Sequence, residues 1–291
     1  MSALCLPPLD APSAPQVKLP DGACDCHAHV ILAETAHPFD ANRSYTPPPA
    51  TADAYLALHK RLGIQRAVIV QPSVYGTDNS VTLDAIAQYG TDCRGVPVIE
   101  PDCSAAELAT LDASGIRGAR INTLFGGGID IGDLEALAGR VADLDWHLQL
   151  LIDDPTLAEL APKLASLPVQ IVVDHMGHIQ AGDGLNQPGF VALRRLVATG
   201  KTWVKLSGNY RVSDQRPDFE DAIPFARTLI KDATDRMVWG TDWPHPALFD
   251  FMPDDGKLLD ALDTYVEADT QKHAILVDNP ATLYGFGNQA N

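Results

Sequence analysis

The stretch DCHAHV, Asp25–Val30, sets one carboxylate and two imidazoles at strictly alternating positions in an otherwise apolar segment. Alternation is the side-chain period of a β-strand, so the spacing predicts a strand. Asp25, His27 and His29 then share its inward face, while Cys24 and Cys26 pack outward under helices. Three polar groups on one buried face require partners or a task.

Working outward, seven further runs read as strands: RAVIVQPS (66–73), RGVPVIE (94–100), IRGARIN (116–122), HLQLLID (147–153), VQIVVDHMG (169–177), TWVKLSG (202–208) and RMVWGTDW (236–243). Helical patterns lie between them, several opening on a cap such as Thr51, Asn79 or Ser104 and closing on Gly63, Gly90, Gly115 or Gly200. Strands alternating with helices favour a parallel sheet, and eight such units favour a single (β/α)8 TIM barrel over an open doubly wound sheet. No phosphate-cradling glycine motif follows the first strand, which argues against dinucleotide binding. The barrel is assigned to residues 21–291, behind a proline-rich leader at 1–20. One long irregular segment, residues 31–50, follows the first strand and reads as a wall over the face where barrel active sites lie.

Bulk properties narrow the partners. A formal net charge of -17 over 291 residues repels nucleic acid and anionic membrane surfaces. No apolar run approaches the length of a membrane span, and the N-terminus lacks the pattern of a secretory signal. Five scattered cysteines without a CxxC pair indicate reduced thiols and a cytoplasmic location. A homo-oligomer remains compatible with the sequence.

In a barrel, polar residues at the carboxyl ends of strands converge on one mouth. That rule selects His27 and His29, Gln71 and Ser73, Arg120 and Asn122, Asp174 and His175, Ser207, and Asp242. His147 opens its strand and belongs to the opposite end. Ser73, Asn122 and Ser207 are the weaker candidates, because hydroxyls and amides at loop starts commonly close turns. Gly126–Gly128 read as a flexible turn.

An HxH pair ending the first strand, DHMG (174–177) on the sixth and GTDWPHP (240–246) on the eighth resemble the amidohydrolase superfamily. The nearest branch is the one with 2-pyrone-4,6-dicarboxylate lactonase and the sugar lactonases. RSYTPPPA (43–50), VQPS followed by YGTDNS, and RGARIN extend the resemblance over nearly the whole chain. It implies an amidohydrolase-type barrel that hydrolyses a lactone, an anionic cyclic ester. Asp242 would be the general base that activates water, with His27, His29 and His175 polarising the carbonyl. It carries Tyr45, Ser73, Arg120 and Arg211 onto substrate-binding positions, with His178 and His245 beside them. The match to pyrone dicarboxylate lactonase, a metal-independent member, implies no cofactor. A single zinc held by His27, His29, His175 and Asp242 is the alternative, since three protein ligands and a water suffice. With zinc, a hydrolase or a decarboxylase would use the same scaffold, and a lactone isomerase would too.

The chain departs from its relative where two further arginines are expected. Those positions hold Gly126 and His178. Bidentate arginine is not replaced conservatively by either, so the expected substrate is a mono-anionic or neutral sugar-type lactone rather than the dicarboxylate.

Overall fold

Cys24–Ala28 (β1), Arg66–Val70 (β2) and Cys93–Val96 (β3) pair in parallel as one sheet. The computed structural model describes residues 2–287, so Met1 and residues 288–291 of the expected leader and barrel lie outside it. Gly118–Asn122 (β4), His147–Leu151 (β5), Ile171–Val173 (β6), Thr202–Lys205 (β7) and Met237–Val238 (β8) form a second parallel sheet in chain order. Isolated parallel bridges join the two sheets at both edges, Gly95 to Ile116 and Ala28 to Trp243. The strands therefore follow one another around an α/β barrel with all pairs parallel, as the alternating pattern requires.

Helices Ala52–Leu62 (α1), Ser80–Tyr89 (α2), Ala105–Ala113 (α3), Leu134–Val141 (α4), Asp154–Ser166 (α5), Pro188–Ala198 (α6), Ile223–Ala233 (α7) and Asp255–Tyr265 (α8) follow the strands in turn. Thr51 caps α1 through Ala54 N, and Ser104 with Glu107 forms a reciprocal capping box on α3. Asn79 precedes α2 without capping it. Its side chain bonds the backbone of Val98 instead, tying this loop to the one after β3.

The core divides at the strands. Alternate strand residues Ala67, Ile69, Ile121, Leu148, Leu150, Val173 and Val204 pack outward with the helices. Val68, Val70, Val96, Val172, Trp203 and Val238 converge inside, where Leu283, Tyr284 and Phe286 close the base.

Here the opening stretch departs from the simple alternation. Cys24 and Cys26 belong to the interior cluster, whereas Asp25 turns outward to Tyr55 and His59 of α1. A register shift between Asp25 and Ala28 lets Cys26 and His27 both face inward. One extra residue in a ladder reverses the phase of everything after it. The expectation that Asp25 points inward and the cysteines outward is thus corrected, while His27 and His29 reach the mouth.

The segment 31–50 is ordered by an antiparallel bridge, Ile31 to Ala50. The leader is tied down as well. Ala3–Leu4 pairs with Tyr45–Thr46, Cys5 is buried, and Ser13 and Val17 bond Asp254 and Asp260 of the α8 region. Among the described residues, no helix is long and apolar enough to cross a membrane.

Candidate active site

Asp242 follows β8 and stands at the centre of the mouth. Its Oδ2 accepts from Tyr210 Oη at 2.6 Å and from Arg211 Nε. Its Oδ1 is buried and accepts no hydrogen bond, with the Nε2 atoms of His27, His29 and His175 each 3.7 Å away. Two strands, β1 and β6, thus aim three imidazoles at one free carboxylate oxygen.

The backbone that delivers them is bolted at Asp25. Its Oδ1 accepts from the backbone N–H groups of His27 and Thr241, and its Oδ2 from the hydroxyls of Tyr55 and Thr241. One outward carboxylate therefore fixes the residues that precede Asp242 and that carry His27. Gly240 is required beside it, because a Cβ there would lie 2.7 Å from His27 N.

Each imidazole has a defined partner. His29 Nδ1 lies 2.7 Å from the Val70 carbonyl, and His175 Nδ1 lies 2.9 Å from Ser207 Oγ. Ser207 therefore orients a catalytic candidate rather than merely closing a turn. His27 Nδ1 faces Lys205 Nζ and Asp174 Oδ1, both at 3.2 Å. Burial first, with Arg120 and His27 around His29 and with His27 and Arg211 around His175, pushes these two imidazoles well below their ordinary value. His27 is lowered too, chiefly by burial. The three are neutral at pH 7.

Tyr45, Ser73, Arg120, His178 and Arg211, all expected near substrate, line the same cavity, together with Asn122 and Phe125. Ser73 Oγ bonds Tyr45 Oη at 3.2 Å. Arg120 donates to the Gln71 carbonyl at 2.7 Å and leaves its Nε without a partner. Arg211, drawn to Asp242, helps to close the cavity to ≈ 10 Å³, room for about one water. His178 is half-buried with its Nε2 inaccessible and unpartnered, and desolvation pushes its pKa down to about 4.

Gly126 donates to Ser44 Oγ, and a Cβ at this position would meet the Asn42 carbonyl oxygen at 2.4 Å. The 126–128 turn is therefore packed against the wall segment rather than free.

His245 does not line the mouth. It is fully buried behind Asp242, with Nδ1 2.8 Å from Tyr210 Oη and Nε2 3.1 Å from Asp255 Oδ1. The expectation that it touches substrate is corrected: Tyr210 and Asp255 hold the ring away from the cavity. Gln71 likewise bonds loop carbonyls of Gly76 and Asp78. His147 lies at the opposite end, against Tyr284. Reasoning from strand ends missed Lys205, Gln149 and Tyr210. Gln149 lies in the middle of β5 and Lys205 ends β7 short of the apparent strand end at Ser207, and only a long polar side chain within an apolar run could have signalled them.

The donor set fits a divalent cation. His27, His175 and Asp242 each offer a ligand atom within 4.8 Å of the others, and Asp242 Oδ1 is an orphaned anionic oxygen. Zinc accepts such nitrogen and carboxylate ligands.

With this geometry in view, the comparisons are decisive about kinship. A profile of the amidohydrolase family matches residues 24–286. The chain belongs to the amidohydrolase family. A 4-sulfomuconolactone hydrolase from Rhizobium radiobacter is 39% identical, over 96% of this chain and 97% of its own. A 2-pyrone-4,6-dicarboxylate hydrolase from Comamonas testosteroni is 37% identical, over 94% of this chain and 93% of its own. An apo crystal structure of an Agrobacterium tumefaciens protein superposes with a TM-score of 0.87 at 30% identity, covering 94% of this chain and 99% of that one. The amidohydrolase-type barrel read from the strand pattern is thereby established.

Proposed function

We propose that this amidohydrolase opens an anionic lactone by hydrolysis. The observation that carries the reading is the free Asp242 Oδ1, the one unpaired anionic oxygen at the point where three neutral imidazoles converge. The lactone-hydrolase names of its relatives support it.

Asp242 Oδ1 accepts a proton from water as the water attacks the ring carbonyl. An imidazole N–H facing the mouth stabilises the developing oxyanion, and the proton returns to the ring oxygen as the C–O bond breaks. Arg120 and Arg211 supply the positive field that an anionic substrate needs against the net charge of the chain. At pH 7 His178 offers a neutral hydrogen bond rather than a charge, and Gly126 offers none. The preferred lactone therefore carries fewer anionic groups than a pyrone dicarboxylate. Reduced, unpaired thiols go with a cytoplasmic setting.

This mechanism needs no metal. The orphaned Oδ1 favours one second reading, in which His27, His175 and Asp242 hold a divalent cation. Bound there, it would act as a Lewis acid and lower the pKa of water.

The test is a panel of lactones screened with a pH indicator, on wild type and Asp242→Asn. Acid release by wild type, lost about 100- to 10,000-fold in the folded variant, is expected. Near-normal turnover of Asp242→Asn removes it as the base. Ordinary turnover of 2-pyrone-4,6-dicarboxylate contradicts the narrowing of substrate. Metal analysis of protein purified without added zinc separates the two readings: stoichiometric metal whose removal abolishes turnover defeats the metal-free one.

A further inference from the structure

Lys205, the last residue of β7, is fully buried beneath the histidines, and the mechanism above gives it no part. Its Nζ has three acceptors in reach: Gln149 Oε1 at 2.7 Å, His27 Nδ1 at 3.2 Å and Asp174 Oδ1 at 3.5 Å. A lysine ammonium carries three protons and no lone pair, so it donates to Gln149 Oε1 and His27 Nδ1, pairs by charge with Asp174, and receives from none. A nitrogen that accepts from it must be bare. Asp174 Oδ1 is the rival partner, also 3.2 Å from His27 Nδ1, yet it is left without a hydrogen bond.

A second contact demands the same tautomer. The Val70 carbonyl can only accept, so His29 carries its proton on Nδ1 and its Nε2 is bare. That bare nitrogen lies 3.3 Å from His27 Nε2. Two bare nitrogens repel at this distance, whereas Nε2–H of His27 donating to Nε2 of His29 satisfies both.

We propose that Lys205 is a positioning residue that fixes His27 as its Nε2–H tautomer, so that His27 faces the mouth as a hydrogen-bond donor and not as a metal ligand. An incoming carbonyl then competes with His29 Nε2 for a proton already held on His27 Nε2, where a cation would need a lone pair. The tautomer stands on the geometry alone; its effect on rate rests on the lactone-hydrolase reading.

Nitrogen-15 NMR of histidine-labelled protein reads which ring nitrogen bears the proton, with the His27 signals assigned by their loss in His27→Gln. We expect Nε2–H in wild type and Nδ1–H in Lys205→Met, where Asp174 Oδ1 becomes the remaining partner. In the same variant kcat should fall about 100-fold, as for loss of one oxyanion donor, with KM changed less than about threefold. Nδ1–H in wild type overturns the proposal, as does Nε2–H retained in Lys205→Met. A switched tautomer with unchanged kcat overturns the positioning role. If Lys205→Met does not fold, the wild-type spectrum alone decides. A protein that shows the Nε2–H tautomer but opens no lactone defeats the functional reading and leaves the tautomer assignment intact.

Discussion

Burial by itself would lift the Asp242 carboxyl, yet the Arg211 guanidinium, foremost among its neighbours, holds it well below the usual carboxylate range. The carboxylate is then ionised throughout ordinary pH, at some cost in basicity. Wild-type kcat/KM should accordingly show no acid limb from Asp242 above about pH 4. Arg211→Gln removes the foremost of the lowering neighbours, so the Asp242 pKa rises and the acid limb moves to higher pH. A profile that stays in place would show that Arg211 does not set the base. At this scale the sequence was informative about His27, His29, His175 and Asp242, because polar residues at strand ends have one direction to point. It could not separate His245 from the mouth, since Tyr210 and Asp255 are the partners that turn its ring away. Lys205 was equally opaque, its partners His27, Gln149 and Asp174 coming from β1, β5 and the residue after β6.

At the level of elements, β1 shows what periodicity can and cannot deliver. Strict alternation put His27 and His29 inward correctly but misplaced Asp25 and the cysteines, because a register shift is a property of two paired strands and leaves no mark in one of them. The outward Asp25 is the compensation. It links β1, α1 and the segment before Asp242 through four hydrogen bonds from His27, Tyr55 and Thr241. Asp25→Ala should cost about 3–5 kcal/mol, in line with breaking a buried charged network. Gly240→Ala should cost about 1–3 kcal/mol, from overpacking against His27. Urea unfolding measures both, and unchanged midpoints would show that the strap is not structural. The helices were easier to read, although Asn79 took a longer-range partner than the cap its position suggested.

For the whole molecule, the alternation of eight strands with helices was legible because each unit carries its own pattern. The closure of the base by Leu283, Tyr284 and Phe286 and the docking of the leader were not, since both join residues far apart in sequence. Acid sensitivity belongs to this scale. Burial pushes His147 down to about 3 and His178 down to about 4, while in the unfolded chain both titrate near the ordinary value of 6.5. Below about pH 6.5 the unfolded chain takes up protons that the folded one refuses. Stability is therefore full above that pH and declines on acidification, by about 1.4 kcal/mol per pH unit for each such histidine. Denaturant unfolding of His147→Leu between pH 4 and 6 should show a slope shallower than wild type by about that amount, and an identical slope would contradict it.

Addition of water across a ring ester is read directly by isotope labelling. A lactone found active in the indicator screen is converted in H₂¹⁸O and the product weighed by mass spectrometry. An open-chain acid heavier than the lactone by one labelled water is expected, with the ¹⁸O in the new carboxylate. A product of unchanged mass would indicate isomerisation, and one lighter by carbon dioxide would indicate decarboxylation; either would contradict lactone hydrolysis.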